Sequence, residues 1–154
     1  MTAETVVCVG AVVLRGDAAL LVRQSPGHSL AGQWTVPWGR IEKGEPPHAA
    51  ALREVEEEGG VRAAVYGLLG VQELPEPWLG WIALVYLCSH SSGEPAPRDR
   101  ETDAADYYTL AELDALREPV EPWSNWLVRR VLERRFTVTA ADASNPLGGQ
   151  GSFL

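Results

Sequence analysis

Apolar and polar positions along the chain alternate in blocks that read as a string of strands with one strong helix near the middle. Thr5 to Leu14 is rich in Val and has the length of one buried strand. Arg15-Gly16-Asp17 is a turn, and Ala18 to Arg23 resumes as a second strand. A turn-rich stretch, Gln24 to Gly32, leads to a short strand-like piece, Trp34 to Val36. Pro37 to Glu45 reads as a loop, and Pro46-Pro47 suit the opening of a helix, where a missing N–H costs nothing. His48 to Glu58 is rich in Ala and Glu and predicts that helix, with Gly59-Gly60 as its stop. Val61 to Val71 and Trp81 to Cys88 read as further strands, separated by the irregular Glu73 to Trp78. Ser89 to Asp103 is a polar loop, long enough to be functional. Asp106 to Thr109 predicts a short strand, Ala111 to Arg117 a short helix and Trp123 to Phe136 an amphipathic one. Residues 1–136 are thus expected to form a single domain, followed by a small, polar, loose tail over 137–154.

Length and composition narrow the class. The chain has 154 residues, of which 45% are hydrophobic and 22% charged, ordinary values for one globular domain. No apolar run approaches the roughly 20 residues that span a bilayer. The start, Met-Thr-Ala-Glu-Thr, lacks the basic and apolar stretches of a secretory signal, so a cytoplasmic protein with no membrane contact is expected. Cys8 and Cys88 each lie inside an apolar stretch, which predicts buried, reduced thiols. A net charge of −8 argues against a nucleic-acid polymer as partner and leaves room for a small phosphorylated substrate. Such a substrate needs its charge offset locally, by a metal or by a few arginines.

Candidate chemistry concentrates in the central helix. At about 100° per residue, with Glu54 at zero, Glu57 falls near −60° and Glu58 near +40°, while Glu56 points away at about 200°. Three carboxylates therefore share one face. Like charges at these spacings destabilise a helix by a few tenths of a kcal/mol per pair. A hard divalent cation would remove that repulsion, and an all-oxygen donor set suits Mg²⁺ or Mn²⁺. A merely solvated acidic face remains the alternative on spacing alone. Arg53, one turn before Glu57, is placed to hold a carboxylate in a forked hydrogen bond.

The wider pattern decides between them. Gly39, five residues, Glu45, seven residues, then Arg53-Glu54-Val55-x-Glu57-Glu58-x-Gly60-Val61 resembles the box of the Nudix hydrolase family at every defined position. At ordinary residue frequencies, a chance match in a chain of this length is on the order of one in ten million. Trp34-Thr35-Val36-Pro37 before the box and Asp106 to Leu113 after it are similar to the family's flanking segments. One departure is Pro37-Trp38-Gly39, where the family commonly has Pro-Gly-Gly.

The resemblance implies an α/β fold, a mixed β-sheet sandwiched between helices (α/β/α). It implies hydrolysis of a pyrophosphate bond in a nucleoside diphosphate linked to another moiety, with Mg²⁺ or Mn²⁺ as cofactor. By position, Glu54, Glu57 and Glu58 would bind metal, the backbone carbonyl of Gly39 would add a ligand, and Arg53 with Glu45 would orient the loop against the helix. Glu57, Glu58, Arg53 and Glu101 are the candidate catalytic residues. Glu101 is preferred as general base over its neighbours Asp99 and Asp103, and a box glutamate is the alternative. Arg23 and Arg40 are candidates for phosphate contact, with a surface salt bridge as the alternative. Trp38 and Trp78 are preferred among the six tryptophans as stacking surfaces for a base. His28, His48 and His90 receive no role. Pro77, sixteen residues after Val61, resembles a proline that marks ADP-ribose-cleaving members, which favours ADP-ribose or a similar substrate. Dinucleoside polyphosphates and nucleoside triphosphates are the alternatives. A nucleotide-sensing, non-catalytic domain is the reading from outside enzymology, and a homodimer is compatible with all of them.

Overall fold

The computed structural model describes residues 1–147. In chain order the elements are β1 (Val7–Arg15), β2 (Ala18–Gln24), β3 (Trp34–Thr35), β4 (Trp38–Arg40) and α1 (Pro47–Gly59). There follow β5 (Arg62–Glu73), β6 (Ile82–Ser92), β7 (Thr102–Tyr108), α2 (Leu110–Ala115) and α3 (Pro122–Leu132). The strands form one mixed sheet along the path β3-β2-β1-β6-β5, with β4 on β1 and β7 on β2. The β1–β6 pair is parallel, from Val7–Ile82 to Leu14–Ser89, and the remaining ladders are antiparallel.

Both faces of the sheet are covered, which is why β1 is apolar at nearly every position rather than alternating. Cys8 and Val12 point to the side closed by Leu113 of α2 and by Leu127, Val128 and Val131 of α3. Val9, Ala11 and Val13 point the other way, to Ala50, Ala51 and Val55 of α1. The expected helix–sheet–helix sandwich is thereby present. Cys8 and Cys88 are buried free thiols, and among the described residues no helix is long and apolar enough to cross a membrane.

Beyond their short shared ladder, Leu14–Ala19 and Arg15–Ala18, β1 and β2 take different partners on their facing edges. β1 takes β4 (Cys8–Arg40, Val9–Gly39, Gly10–Trp38), and β2 takes β3 (Val22–Thr35, Arg23–Trp34). The stretch Pro37 to Glu45 is therefore no simple loop. Its first part is a strand because the opened edge of β1 has donors and acceptors to satisfy, and Ile41 N–H continues the contact to the Val7 carbonyl at 3.3 Å.

Three more boundaries differ from the sequence reading. β6 runs on through Ser89–Ser92, and β7 begins at Thr102. These polar residues are strand because β5 and β2 offer them backbone partners, so the long loop shrinks to 93–101. The last helix stops at Leu132, and Arg134 takes a left-handed φ of 57°. The beginning of the expected loose tail is docked: Thr139 exchanges two 2.9 Å backbone hydrogen bonds with Leu68, and Val138 packs on the core. The tail's last part, 148–154, lies outside the described residues.

Candidate active site

α1 presents its carboxylates inward as well as outward. Its buried positions are Ala50, Ala51, Glu54, Val55, Glu58 and Gly59, so two glutamates share the buried stripe with alanines and a valine. Glu54 is 6% exposed and Glu58 1%. Both lie under β4, where Trp38 N–H donates to Glu58 Oε2 at 3.3 Å.

Burial of two like charges is costly, and it shows in their acidity. Loss of solvent pushes the Glu54 carboxyl up from 4.5 to about 7, against the opposing pull of Arg53 and with the charges of Glu57 and Glu101 adding to the rise. The Glu58 carboxyl is pushed up well above its ordinary value by burial first, then by the charges of Glu54, Glu101 and Asp99.

Arg53 is the hub of the surrounding network. Its Nε and Nη2 grip Glu45 at 2.8 and 3.1 Å, and Nη1 reaches Glu54 at 2.7 Å and Glu57 at 3.1 Å. Nη2 also donates to the Arg40 carbonyl at 2.9 Å, which ties β4 to the helix. Arg53 in turn holds the Glu45 carboxyl below the usual carboxylate range. The Arg53–Glu45 contact expected from the box is thus present.

Glu101 arrives from the loop between β6 and β7, which is fastened across the C-terminal end of α1. Ala96 N–H donates to the Gly59 carbonyl at 3.0 Å, and the N–H groups of Arg98 and Asp99 donate to the Glu57 carbonyl at 2.8 and 3.2 Å. Thr102 Oγ1 donates to the Glu58 carbonyl at 2.8 Å. A helix end leaves its last carbonyls unpaired, and this loop satisfies them. One carboxylate oxygen each from Glu54, Glu58 and Glu101 then lie within 4.8 Å of one another. Glu57, which spacing groups with Glu54 and Glu58, stands outside that cluster; it is turned towards Arg53 and its side chain is 44% exposed.

These carboxylates line a cavity of about 530 Å³ together with Trp38, Gly39, Arg40, Trp78, Trp81 and Glu42. Beside it lies an apolar pocket of about 340 Å³ walled by Trp38, Trp78, Trp81, Trp123, Leu74 and Cys8. Trp38, Trp78 and Trp81 border both spaces, and Arg40 stacks over the Trp81 ring at 4.7 Å. His28, Ser29 and Leu30 also line the carboxylate cavity; they come from a turn without a motif, so nothing in the pattern singles them out.

Arg23 is not part of this assembly. Its guanidinium is bound to Asp103 at 2.8 Å and Glu118 at 2.6 Å, and it borders neither space. These ion pairs, the alternative reading for Arg23, brace β7 and the segment before α3. Pro77 also stays outside both spaces, whereas Leu74 and Trp81 close the hairpin behind it through a 3.0 Å backbone hydrogen bond.

Comparison with known proteins agrees with the site's composition. A sequence model of the NUDIX domain matches residues 4–131. The NAD-capped RNA hydrolase NudC of Photorhabdus laumondii is 30% identical over 126 residues, covering 82% of this chain and 46% of that protein. A MutT-like protein of Streptomyces ambofaciens is 33% identical over 122 residues, covering 71% of this chain and 76% of its own length. The crystal structure of a MutT NUDIX hydrolase from Burkholderia pseudomallei superposes with a TM-score of 0.69 at 29% identity, covering 84% of this chain and 99% of that one. The chain spans less than half the length of several of its curated relatives. With the domain match running through nearly all of the described residues and the box carboxylates gathered at one cavity, the chain belongs to the Nudix family.

Proposed function

We propose that the chain is a divalent-metal-dependent hydrolase that cuts the pyrophosphate of a nucleoside diphosphate linked to another group. The observation that carries this reading is the meeting of Glu54, Glu58 and Glu101 within 4.8 Å at a cavity that adjoins a tryptophan-walled pocket.

The donor set fits a hard cation. Its members are carboxylates, two of them buried, and no Lys or Arg is paired with Glu58 among the described residues. In this reading Glu54 and Glu58 hold Mg²⁺ or Mn²⁺, with Glu57 and Gly39 lining the same cavity as further ligands. A bound cation supplies Lewis acidity and offsets charge on the phosphoryl oxygens. Arg53 keeps Glu54 and Glu57 in place, and Arg40 meets a phosphate at the cavity mouth. Glu101, exposed beside the two buried carboxylates, takes the proton of the attacking water. The water oxygen bonds to one phosphorus, the bridging P–O bond breaks, and the other phosphate leaves with its charge.

The base of the nucleotide lies against Trp38, Trp78 and Trp81. ADP-ribose or a similar nucleoside-diphosphate conjugate is favoured over nucleoside triphosphates, in keeping with the aromatic pocket directly beside the carboxylates. The relative named NAD-capped RNA hydrolase acts by name on RNA that carries an NAD cap, and NAD is two nucleotides joined through the same class of bond. Release of products from ADP-ribose, NAD, diadenosine polyphosphates and the common triphosphates, with Mg²⁺ or with chelator, tests the reading. Metal-dependent cleavage with ADP-ribose or NAD preferred is the expected result. Nucleotide binding without cleavage of any of them would instead identify a sensor domain.

A further inference from the structure

Arg98 lies outside the Nudix box and outside both cavities, yet it is the most connected residue of the loop that delivers Glu101. Its backbone N–H donates to the Glu57 carbonyl at 2.8 Å. Its guanidinium donates to Glu56 Oε1 at 2.5 Å through Nη1 and reaches the Gly60 carbonyl at 3.5 Å through Nη2. Glu56 is the one glutamate of the box helix that points away from the site, and Arg62 is its other cationic neighbour, at 3.8 Å. A positive group at a helix C-terminus also faces the favourable end of the helix dipole. The approach is close: a Cβ on Gly60, whose φ is 72°, would stand 1.8 Å from the Ala96 carbonyl oxygen.

From Arg98 the loop reaches Glu101 in three residues, and its path is held at each step. Asp99 N–H bonds Glu57, Asp99 Oδ1 accepts from Glu101 N–H at 3.0 Å, and the Glu101 carbonyl accepts from Ser25 N–H at 2.9 Å. We infer that Arg98 is a positioning residue: with Glu56 it clamps the 93–101 loop on the outer side of α1, so that the Glu101 carboxylate stands against Glu54 and Glu58. The outward side of the box helix thereby serves the site on its inward side. This inference rests on the proposed role of Glu101.

Arg98 is exposed and its ion pair lies on the surface, so its share of stability is small. Its effect on the site is set by geometry, because a carboxylate displaced by an ångström loses much of its usefulness. The test compares Arg98→Ala, Arg98→Lys, Glu101→Gln and the double variant Arg98→Ala/Glu101→Gln. The readouts are the Mn²⁺ dissociation constant from electron paramagnetic resonance, the melting temperature, and kcat and KM on the best substrate of the panel. Arg98→Ala is expected to lower kcat about tenfold with KM nearly unchanged, and to weaken Mn²⁺ binding several-fold because the Glu101 charge moves away from Glu54 and Glu58. Arg98→Lys recovers part of both, and the melting temperature stays within a few degrees. The decisive outcome is non-additivity: the double variant is no worse than Glu101→Gln alone, since Arg98 acts through that carboxylate. Wild-type values for Arg98→Ala, or losses that multiply in the double variant, overturn the clamp. A silent Glu101→Gln overturns the role of Glu101 itself and the clamp with it.

Discussion

The carboxylate of Glu54 rests directly against the α-carbon of Gly39: a Cβ built on that glycine would stand 2.1 Å from Glu54 Oε1 and 2.2 Å from its carboxyl carbon. Gly39 pairs with Val9 in the β1–β4 ladder, so its backbone cannot easily retreat. The glycine is required by space and not by backbone angle, since its φ is not among the positive ones.

Gly39→Ala should therefore keep the fold but move Glu54 out of the cluster. Inserting a methyl into a packed site costs about 1–3 kcal/mol. A lowered melting temperature together with at least tenfold weaker Mn²⁺ binding is the expected pair of results. Unchanged metal affinity would show that Glu54 can shift without consequence.

Glu58→Gln separates stability from function. The buried carboxyl is held well above its usual acidity range by desolvation and by Glu54 and Glu101, so its ionised form is unfavourable without a cation. Glutamine keeps an acceptor for Trp38 N–H and carries no charge. In chelator near pH 8 the variant should melt at or above the wild-type temperature, while turnover with Mg²⁺ falls by several orders of magnitude. Glu57→Gln should cost turnover without this stability gain, because Glu57 is half exposed. Turnover within a few-fold of wild type in both variants would remove these residues from the site.

The same carboxyls give stability a pH dependence of definite sign. The Glu54 carboxyl sits at about 7 in the folded chain against 4.5 ordinarily, so between those values the folded state holds a proton that the unfolded state has released. Stability of the metal-free protein must then fall as pH rises through that window. Glu45, held low by Arg53, works in the opposite direction, but its contribution is lost only as pH drops below about 4.5. In chelator the melting temperature should drop by about 4 °C or more from pH 5 to pH 7.5. Saturating Mg²⁺ holds the carboxylates ionised and should abolish or reverse the trend. Parallel curves with and without metal would mean that no cation engages Glu54 or Glu58.

The helix and its stop were legible because they follow from local pattern, and the Arg53–Glu45 contact was implied by the resemblance to the box. What spacing missed depended on partners distant in sequence. Pro37 to Glu45 hides a strand that exists only because β1 and β2 separate. Helical angles placed Glu57 beside Glu54 and Glu58, and all three line one cavity, but the angles could not show that Arg53 draws the Glu57 carboxylate aside or that Glu101, from another element, comes close to the other two. The same angles pointed Glu56 away from the site; its contact with Arg98, 42 positions away, was invisible to any periodicity. Arg23 had the charge to meet a phosphate, but Asp103 and Glu118 occupy it, and pairing across strands cannot be read from composition.

Trp78 and Arg23 offer a direct contrast between lining the site and supporting the fold. Trp78 borders both the carboxylate cavity and the apolar pocket, at the tip of the β5–β6 hairpin where its N–H bonds the Pro75 carbonyl at 2.9 Å. Stacking of a base on an aromatic ring contributes about 1–3 kcal/mol. If that contact is the same in the bound and the reacting nucleotide, Trp78→Ala should raise KM by about tenfold and leave kcat nearly unchanged. Trp78 is half-buried between exposed chain neighbours, 75–77 and 79–80, so the melting temperature should move little. Arg23→Met should do the reverse. It breaks two ion pairs to Asp103 and Glu118 and the contact over Trp34, which lowers the melting temperature, but it reaches neither space and leaves KM alone. Kinetics on ADP-ribose and melting curves for the two variants check both halves. A KM that rises for Arg23→Met and stays fixed for Trp78→Ala would move the nucleotide from Trp78 towards Arg23.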